Sequence, residues 1–495
     1  MKNKILLLPV LLLAFACSQE ELNLQDKQGA MSEALSCKTS GVTITVPPSG
    51  GDDTPALLQA FADAKEAGPG TVIQLLEGTY TIGMIEVHDF VGTFTGVGKG
   101  KTVITNLTCL PCEAQWEQNQ LPALVKFVGG NLKLSKMTYR MQDGEPCTRG
   151  PLNDAIYGDI ATLLVLADYS SNFVPETRKI IASLNNVEFI AGDDGGYGLF
   201  SSPGNVAMMV YCGSDMIFAT DFMPLSFGHV TIQNCYFENA MCGPDFWAFD
   251  ENSSVLVENC VLNECDQQIF MGAMLGSDVR FKNNLFKNGT LVDMYIEAWD
   301  WGYYPGIIPS HPTRYEITGN RFQSTAGEVS LFIRDQSRLQ DPYGYPAAFA
   351  EIKNNLFSTC KGTLNYPNVY GFREGIAGIE ALNLRDARII GNKFFGSGDY
   401  GIMLDGDSAS GAWAENISCL GNQFFNTNYE VGSIFLGPYS KNCMVAGSGT
   451  GIGTFVDLGT NNRISGPLVK KFNNYPRFSS PNKKLDFHMP AHHRN

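Results

Sequence analysis

Leu184-Asn185-Asn186-Val187-Glu188-Phe189 is the first of eight copies of one six-residue phrase. The others start at Ile232, Val257, Phe281, Ile317, Ile352, Ile389 and Cys419, and a fainter copy runs from Leu134 to Tyr139. The third position is Asn186, Asn234, Asn259, Asn283, Gly319, Asn354, Gly391 or Gly421. Asn and Gly are the residues that tolerate a left-handed backbone, so each copy predicts a tight bend with positive φ. The fourth position is Asn in five consecutive copies, Asn284, Asn320, Asn355, Asn392 and Asn422, which predicts stacked amides bonding rung to rung. The sixth is Phe in all but Leu262, an aromatic column inside a stack.

The steps between bends are 48, 25, 24, 36, 35, 37 and 30 residues. A unit of about 24 residues lies within the 20–50-residue range of solenoid repeats. It is too short for strand, full helix and strand. On this count the 48-residue step is long enough for two coils. Each coil also carries a second apolar run, such as Gln268 to Met271, Val292 to Ile296, Val329 to Ile333 and Tyr400 to Leu404. Short strands joined by Gly, Asn and Asp turns predict an all-β parallel solenoid.

The N-terminal end adds a cap. Asp53 or Thr54 is an N-cap, Pro55 sits in the first turn, and Leu57, Leu58, Phe61 and Ala64 form an apolar stripe. Gly68-Pro69-Gly70 stops the helix, and Val72 to Leu75 begins the strands. With this cap and the repeats, the chain resembles the right-handed parallel β-helix of the pectate lyase-like superfamily, with an N-terminal capping α-helix, over residues 45–470. The resemblance implies fold firmly and chemistry weakly, because one fold hosts many functions.

Ahead of the solenoid, residues 1–16 read as a signal peptide, with Lys2 and Lys4 before an apolar core. Leu13-Ala14-Phe15-Ala16-Cys17 resembles a bacterial lipobox, so Cys17 is the expected lipidation site, and residues 17–44 a flexible tether. The expectation is an exported outer-membrane lipoprotein, surface-exposed or periplasmic, touching the membrane only through its anchor. Residues 471–495 read as a C-terminal tail. Net charge is −15, and −17 once Lys2 and Lys4 leave with the signal. That argues against nucleic acid as a partner. A monomer that binds polysaccharide is the expectation. Twelve cysteines remain beyond Cys17. Cys109-Leu110-Pro111-Cys112 reads as a loop disulfide, with Cys147 as a third candidate for the pairing, and Cys235 and Cys260 read as buried thiols at the ladder site.

The longer coils locate loops. After the strand ending at Glu297 come Trp299, Trp301, Tyr303 and Tyr304; other insertions follow Arg334 and precede Ile379. The expected site is an aromatic-walled groove with Trp299, Trp301, Tyr303 and Tyr304 for substrate binding. Its floor is a strand face bearing Glu297, Arg334, Arg385 and, one coil on, Asp405. The alternative is loop packing over a surface ion ladder. A second catalytic candidate is Asp193-Asp194, spaced from its repeat phrase as the paired Asp of polygalacturonases is, which that resemblance implies as acid and base. The rest of that pattern is missing, and Gly192-Asp193-Asp194-Gly195 equally suits a turn or a calcium loop, so Ca²⁺ is the one cofactor considered and no metal ligands are assigned. Arg334 and Arg385 suit a lyase, as base or as neutraliser of a uronate. The expected function is a polysaccharide lyase or glycoside hydrolase; the alternative is a non-catalytic glycan-binding, adhesive or structural solenoid.

Overall fold

The computed structural model describes residues 41–108, 123–141, 160–167, 179–191, 205–211, 227–240, 242–247, 249, 251–272, 274–289, 292–298, 310–323, 329–335, 348–358, 377–406, 412–447 and 455–465. The signal, Cys17, residues 17–40 of the expected tether, Cys109, Cys112, Cys147 and the tail lie outside them, while Thr43 and Ile44 at the end of the expected tether belong to the first strand of the solenoid. Met1–Gly41 and Val42–Asn495 are separate units, and the solenoid is the second.

Each bend joins a strand of a first sheet to a short strand of a second. The third sheet takes the next apolar run, and every pairing is parallel. Ser254–Glu258 pairs with Asp278–Lys282, Val261–Asn263 with Leu285–Lys287, and Gln267–Met271 with Val292–Ala298. The same order repeats along the stack, so the chain is a right-handed parallel β-helix. The 48-residue step is one coil, not two. Lys179–Ile190 pairs directly with Phe227–Gln233. Rung rise is set by backbone hydrogen bonding, while loop length between strands is unconstrained by it.

The repeat phrase acts as its residue types require. All eight third-position residues have positive φ, from 54° at Asn354 to 71° at Gly319. In the fainter copy Lys136 takes φ 57° despite its side chain. The Asn ladder is continuous. Nδ2 of Asn284, Asn320, Asn355 and Asn392 each donates to Oδ1 of the next Asn at 3.0 Å. The same oxygens accept the backbone N–H of the preceding rung's Asn. Cys235 and Cys260 fill earlier rungs as free, buried thiols. Phe286, Phe322, Phe357, Phe394 and Phe424 stack with centroids 4.6–4.9 Å apart.

Gly401 stands opposite the end of this column. A Cβ there would lie 2.5 Å from Phe424 Cε1 and 2.6 Å from the Ser433 carbonyl. Gly401→Ala is therefore expected to destabilise by about 1–3 kcal/mol through overpacking, read as a lower thermal midpoint.

The cap differs in detail from expectation. Helix α1 (Thr54–Ala67) buries Leu57, Ala60, Phe61 and Ala64, while Leu58 is 42% exposed. Asp53 makes no side-chain bond to the helix. Its carboxylate instead accepts the amides of Ser49 (2.6 Å) and Thr81 (3.0 Å), tying helix to sheet. A strand, Thr43–Val46, precedes the helix and pairs with Thr71–Leu75.

Candidate functional site

The third sheet positions the candidates. Along its strands Ile269, Met294, Ile296, Leu331, Ile333, Ile379 and Ile402 enter the main core. Their alternates face the other way. Tyr295, Phe332, Met403 and Phe435 form a second apolar cluster with Leu382. Trp247, Phe270, Tyr295 and Phe332 stack there, each centroid 4.9 Å from the next.

Two residues further along the same face runs a charged row. Glu297 registers with Arg334, Arg334 with Leu382, and Leu382 with Asp405. Three of the four expected floor residues are thus brought into one row. It is not an open groove floor: Glu297 is 1% exposed and Arg334 4%. Tyr295 donates its hydroxyl to Glu297 Oε1 at 2.6 Å. Arg334 Nη1 lies 4.0 Å from the same oxygen, an ion pair without a hydrogen bond. Arg334 Nε and Nη1 have no hydrogen-bond partner. Asp405 Oδ1 accepts the amides of Gly406 (2.8 Å) and Tyr439 (2.9 Å). Its carboxylate lies over Gly437, where any Cβ would collide with it.

Arg385 is not on this face. Asn383, with φ 56°, turns the chain after Leu382 and carries Arg385 round the corner. There Arg385 bridges to Glu415, which pairs with Lys441. Lys441 Nζ lies 3.3 Å from Glu415 Oε1. One position back, Trp413 and Tyr439 meet edge to face at 5.7 Å.

This corner escaped the sequence reading, yet it has its own phrase: Asn383-Leu384-Arg385-Asp386, Trp413-Ala414-Glu415-Asn416 and Tyr439-Ser440-Lys441-Asn442. The fourth residues, Asp386, Asn416 and Asn442, all have positive φ. Tyr295 was also missed, although it shares Glu297's strand parity.

Asp193, Asp194, Trp299, Trp301, Tyr303 and Tyr304 lie outside the described residues. Trp247 packs over Gly272, where a Cβ would lie 2.7 Å from its ring. Glu251 turns elsewhere; the hydroxyl and amide of Ser310, with His311 at 3.7 Å, hold its carboxyl below the usual range. Among the described residues no group of three or more His, Cys, Asp and Glu side chains is arranged to hold a metal ion. Burial pushes the Cys265 thiol up to about 12 and Cys443 to about 11, which leaves both unreactive at neutral pH.

No protein-family model matches the chain, and no curated protein matches it. Among solved structures it is similar to a polygalacturonase from Erwinia carotovora ssp. carotovora, at 9% identity, covering 87% of this chain and 96% of that one, with a TM-score of 0.46. It is similar to the A-module of a mannuronan C-5 epimerase from Azotobacter vinelandii (10% identity, 84% and 96% covered, TM-score 0.39). A surface protein and adhesin of Streptococcus pneumoniae is similar at 12% identity (86% and 100% covered, TM-score 0.42). At such identities residue roles rest on this chain's own geometry.

Proposed function

We propose that this protein is a polysaccharide-active β-helix, with the Glu297–Arg334 row of the third sheet as its centre. The observation that carries the reading is Arg334, a buried guanidinium with two nitrogens that make no hydrogen bond. Burying a charge without full hydrogen bonding is costly, and apolar residues of similar volume are often as stable or more so. The same row accepts Leu382, so the scaffold does not require charge there. A guanidinium fork suits a carboxylate or a pair of hydroxyls.

Of the two reactions, the row favours elimination. Hydrolysis uses two carboxyl groups about 5–9.5 Å apart. Glu297 and Asp405 are three rungs apart, about 14 Å at the usual strand spacing. In a lyase Arg334 would neutralise a uronate carboxylate. The Tyr295–Glu297 pair would take the proton beside it. The electron pair of the broken C–H bond then forms the carbon–carbon double bond as the glycosidic bond breaks, and the leaving oxygen takes the abstracted proton back from the Tyr295–Glu297 pair. Export through the signal and anchoring at Cys17 to the outer membrane belong to the same proposal, on the sequence features alone.

The burial of Glu297 and Arg334 favours a second reading, a non-catalytic glycan-binding or adhesive solenoid in which the row is internal. The test is to incubate the full chain with plant, algal and host polysaccharides. Ultraviolet absorbance of an unsaturated uronate is the expected result. New reducing ends without it would mean hydrolysis, and binding without product would support the second reading. No binding to any polysaccharide overturns both.

A further inference from the structure

Resting on that reading, we infer that the corner formed by Asn383, Arg385, Trp413 and Tyr439 is a second glycan-binding subsite. It takes a single sugar ring, stacked on an aromatic wall and held through its hydroxyls.

Two independent observations meet at this corner. The first is a set of polar atoms without partners. Asn383 is buried, and both its Nδ2 and its Oδ1 lack a hydrogen-bond partner. Arg385 Nε is buried and lacks one too. Leaving such atoms unpaired is unfavourable, and native chains rarely do so without a reason. An amide carries both donors and an acceptor, and a sugar hydroxyl is both at once. Asn383 and Arg385 together offer what two neighbouring hydroxyls on one ring would use.

The second is the aromatic wall. Trp413 and Tyr439 are each partly exposed, on successive rungs of the corner ladder. The indole is fixed in place: Lys441 Nζ lies 5.4 Å from its centroid and is itself held by Glu415. Gly406 lets the backbone of the Trp413 segment pack close, since a Cβ there would come within 2.8 Å of Trp413 Cα. A rigid, partly exposed aromatic pair beside unsatisfied donors and an acceptor is how a small polar ligand is oriented in a pocket.

Position links this corner to the row. Asn383 directly follows Leu382, which lies between Arg334 and Asp405 in register. Trp413 belongs to the coil of Asp405, two rungs beyond Arg334, or about 10 Å along the stack. A chain centred on Arg334 would place another of its rings at the corner by crossing the bend at Asn383 that borders the row.

The experiment measures affinity of the full chain for the polysaccharide that binds best in the panel. The variants are Trp413→Ala, Trp413→Phe and Asn383→Leu, with Leu58→Ala on the exposed cap as control. The expected result is about tenfold or greater weakening for Trp413→Ala and Asn383→Leu, with Trp413→Phe close to wild type. Thermal midpoints must show that the variants fold. Asn383→Leu removes unpaired polar atoms but places a branched side chain at φ 56°, so a modestly lower thermal midpoint is expected for it. Wild-type affinity in both Trp413→Ala and Asn383→Leu overturns the subsite and leaves the Arg334 reading standing. Equal weakening by the Leu58→Ala control also overturns it. Failure of the wild-type chain to bind any polysaccharide overturns both.

Discussion

Asn355→Ala is expected to lower the unfolding free energy by roughly 3–6 kcal/mol, because several buried groups lose partners at once. Asn355 Oδ1 accepts both the backbone N–H and Nδ2 of Asn320. Its Nδ2 donates to Asn392 Oδ1 and to the Ile317 carbonyl. Alanine removes the acceptor of the Asn320 N–H and takes one hydrogen bond each from Asn320 Nδ2, Asn392 Oδ1 and the Ile317 carbonyl in the buried middle of the stack; Asn320 Nδ2 keeps the Phe281 carbonyl and Asn392 Oδ1 the Asn355 N–H. Asn355→Cys should cost less, since Cys235 and Cys260 occupy the same site in earlier rungs and Cys260 Sγ donates to the carbonyl of Ile232. The adjacent residue gives the contrast. Asn354 is exposed with φ 54°, so Asn354→Gly should be nearly neutral and Asn354→Val strongly destabilising. Urea unfolding of the four variants checks the order. If Asn355→Ala unfolds like wild type, the amide ladder is not what aligns the rungs.

The repeat was legible because each position of the phrase has one physical task, and few residue types can do it. Positive φ admits Asn and Gly, the ladder admits a side chain that donates and accepts, and the column admits a flat ring. The coil boundaries were less legible. Asn186 to Asn234 spans twice the minimal coil, yet strand pairing shows one rung, because insertions do not alter the rise. The shared face of Glu297, Arg334 and Asp405 was legible because strand parity governs there. Parity fails at Arg385, three residues past Leu382, where the bend at Asn383 breaks it. The bend was foreseeable. Asn383 is a residue type that bends, and Asp386, Asn416 and Asn442 mark a second periodic phrase beside the first. Leu58 was assigned to the buried stripe on helical spacing alone, but α1 covers one end of a narrow stack, and its apolar arc is narrower than the spacing suggests. The burial of the Glu297–Arg334 row could not be read from spacing, since parity tells which way a side chain points and not what lies over it.

Replacing Glu297 and Arg334 singly and together separates chemistry from architecture. Arg334→Leu leaves Glu297 with its Tyr295 hydrogen bond but without the Arg334 cation, and Glu297→Leu leaves the buried guanidinium without the Glu297 carboxylate. Breaking a buried pair from one side costs about 3–5 kcal/mol, with the stranded guanidinium the worse case. The double variant removes both charges from a row that already holds Leu382, and it is expected to recover most or all of the lost stability. Activity should not recover. If Arg334 binds the charge that develops during elimination, its loss should lower turnover by about 10²–10³-fold, and the stable double variant should be at least as impaired. A structural seam predicts the opposite pairing, with stability lost in the double variant and turnover intact in whatever fraction folds. Glu297→Gln sharpens the distinction. It keeps the Tyr295 hydrogen bond and nearly the same volume while removing the base, so its melting point should move little and its turnover should fall with the others. Turnover that survives in Glu297→Gln would place the proton acceptor elsewhere and leave Arg334 as a binding group alone.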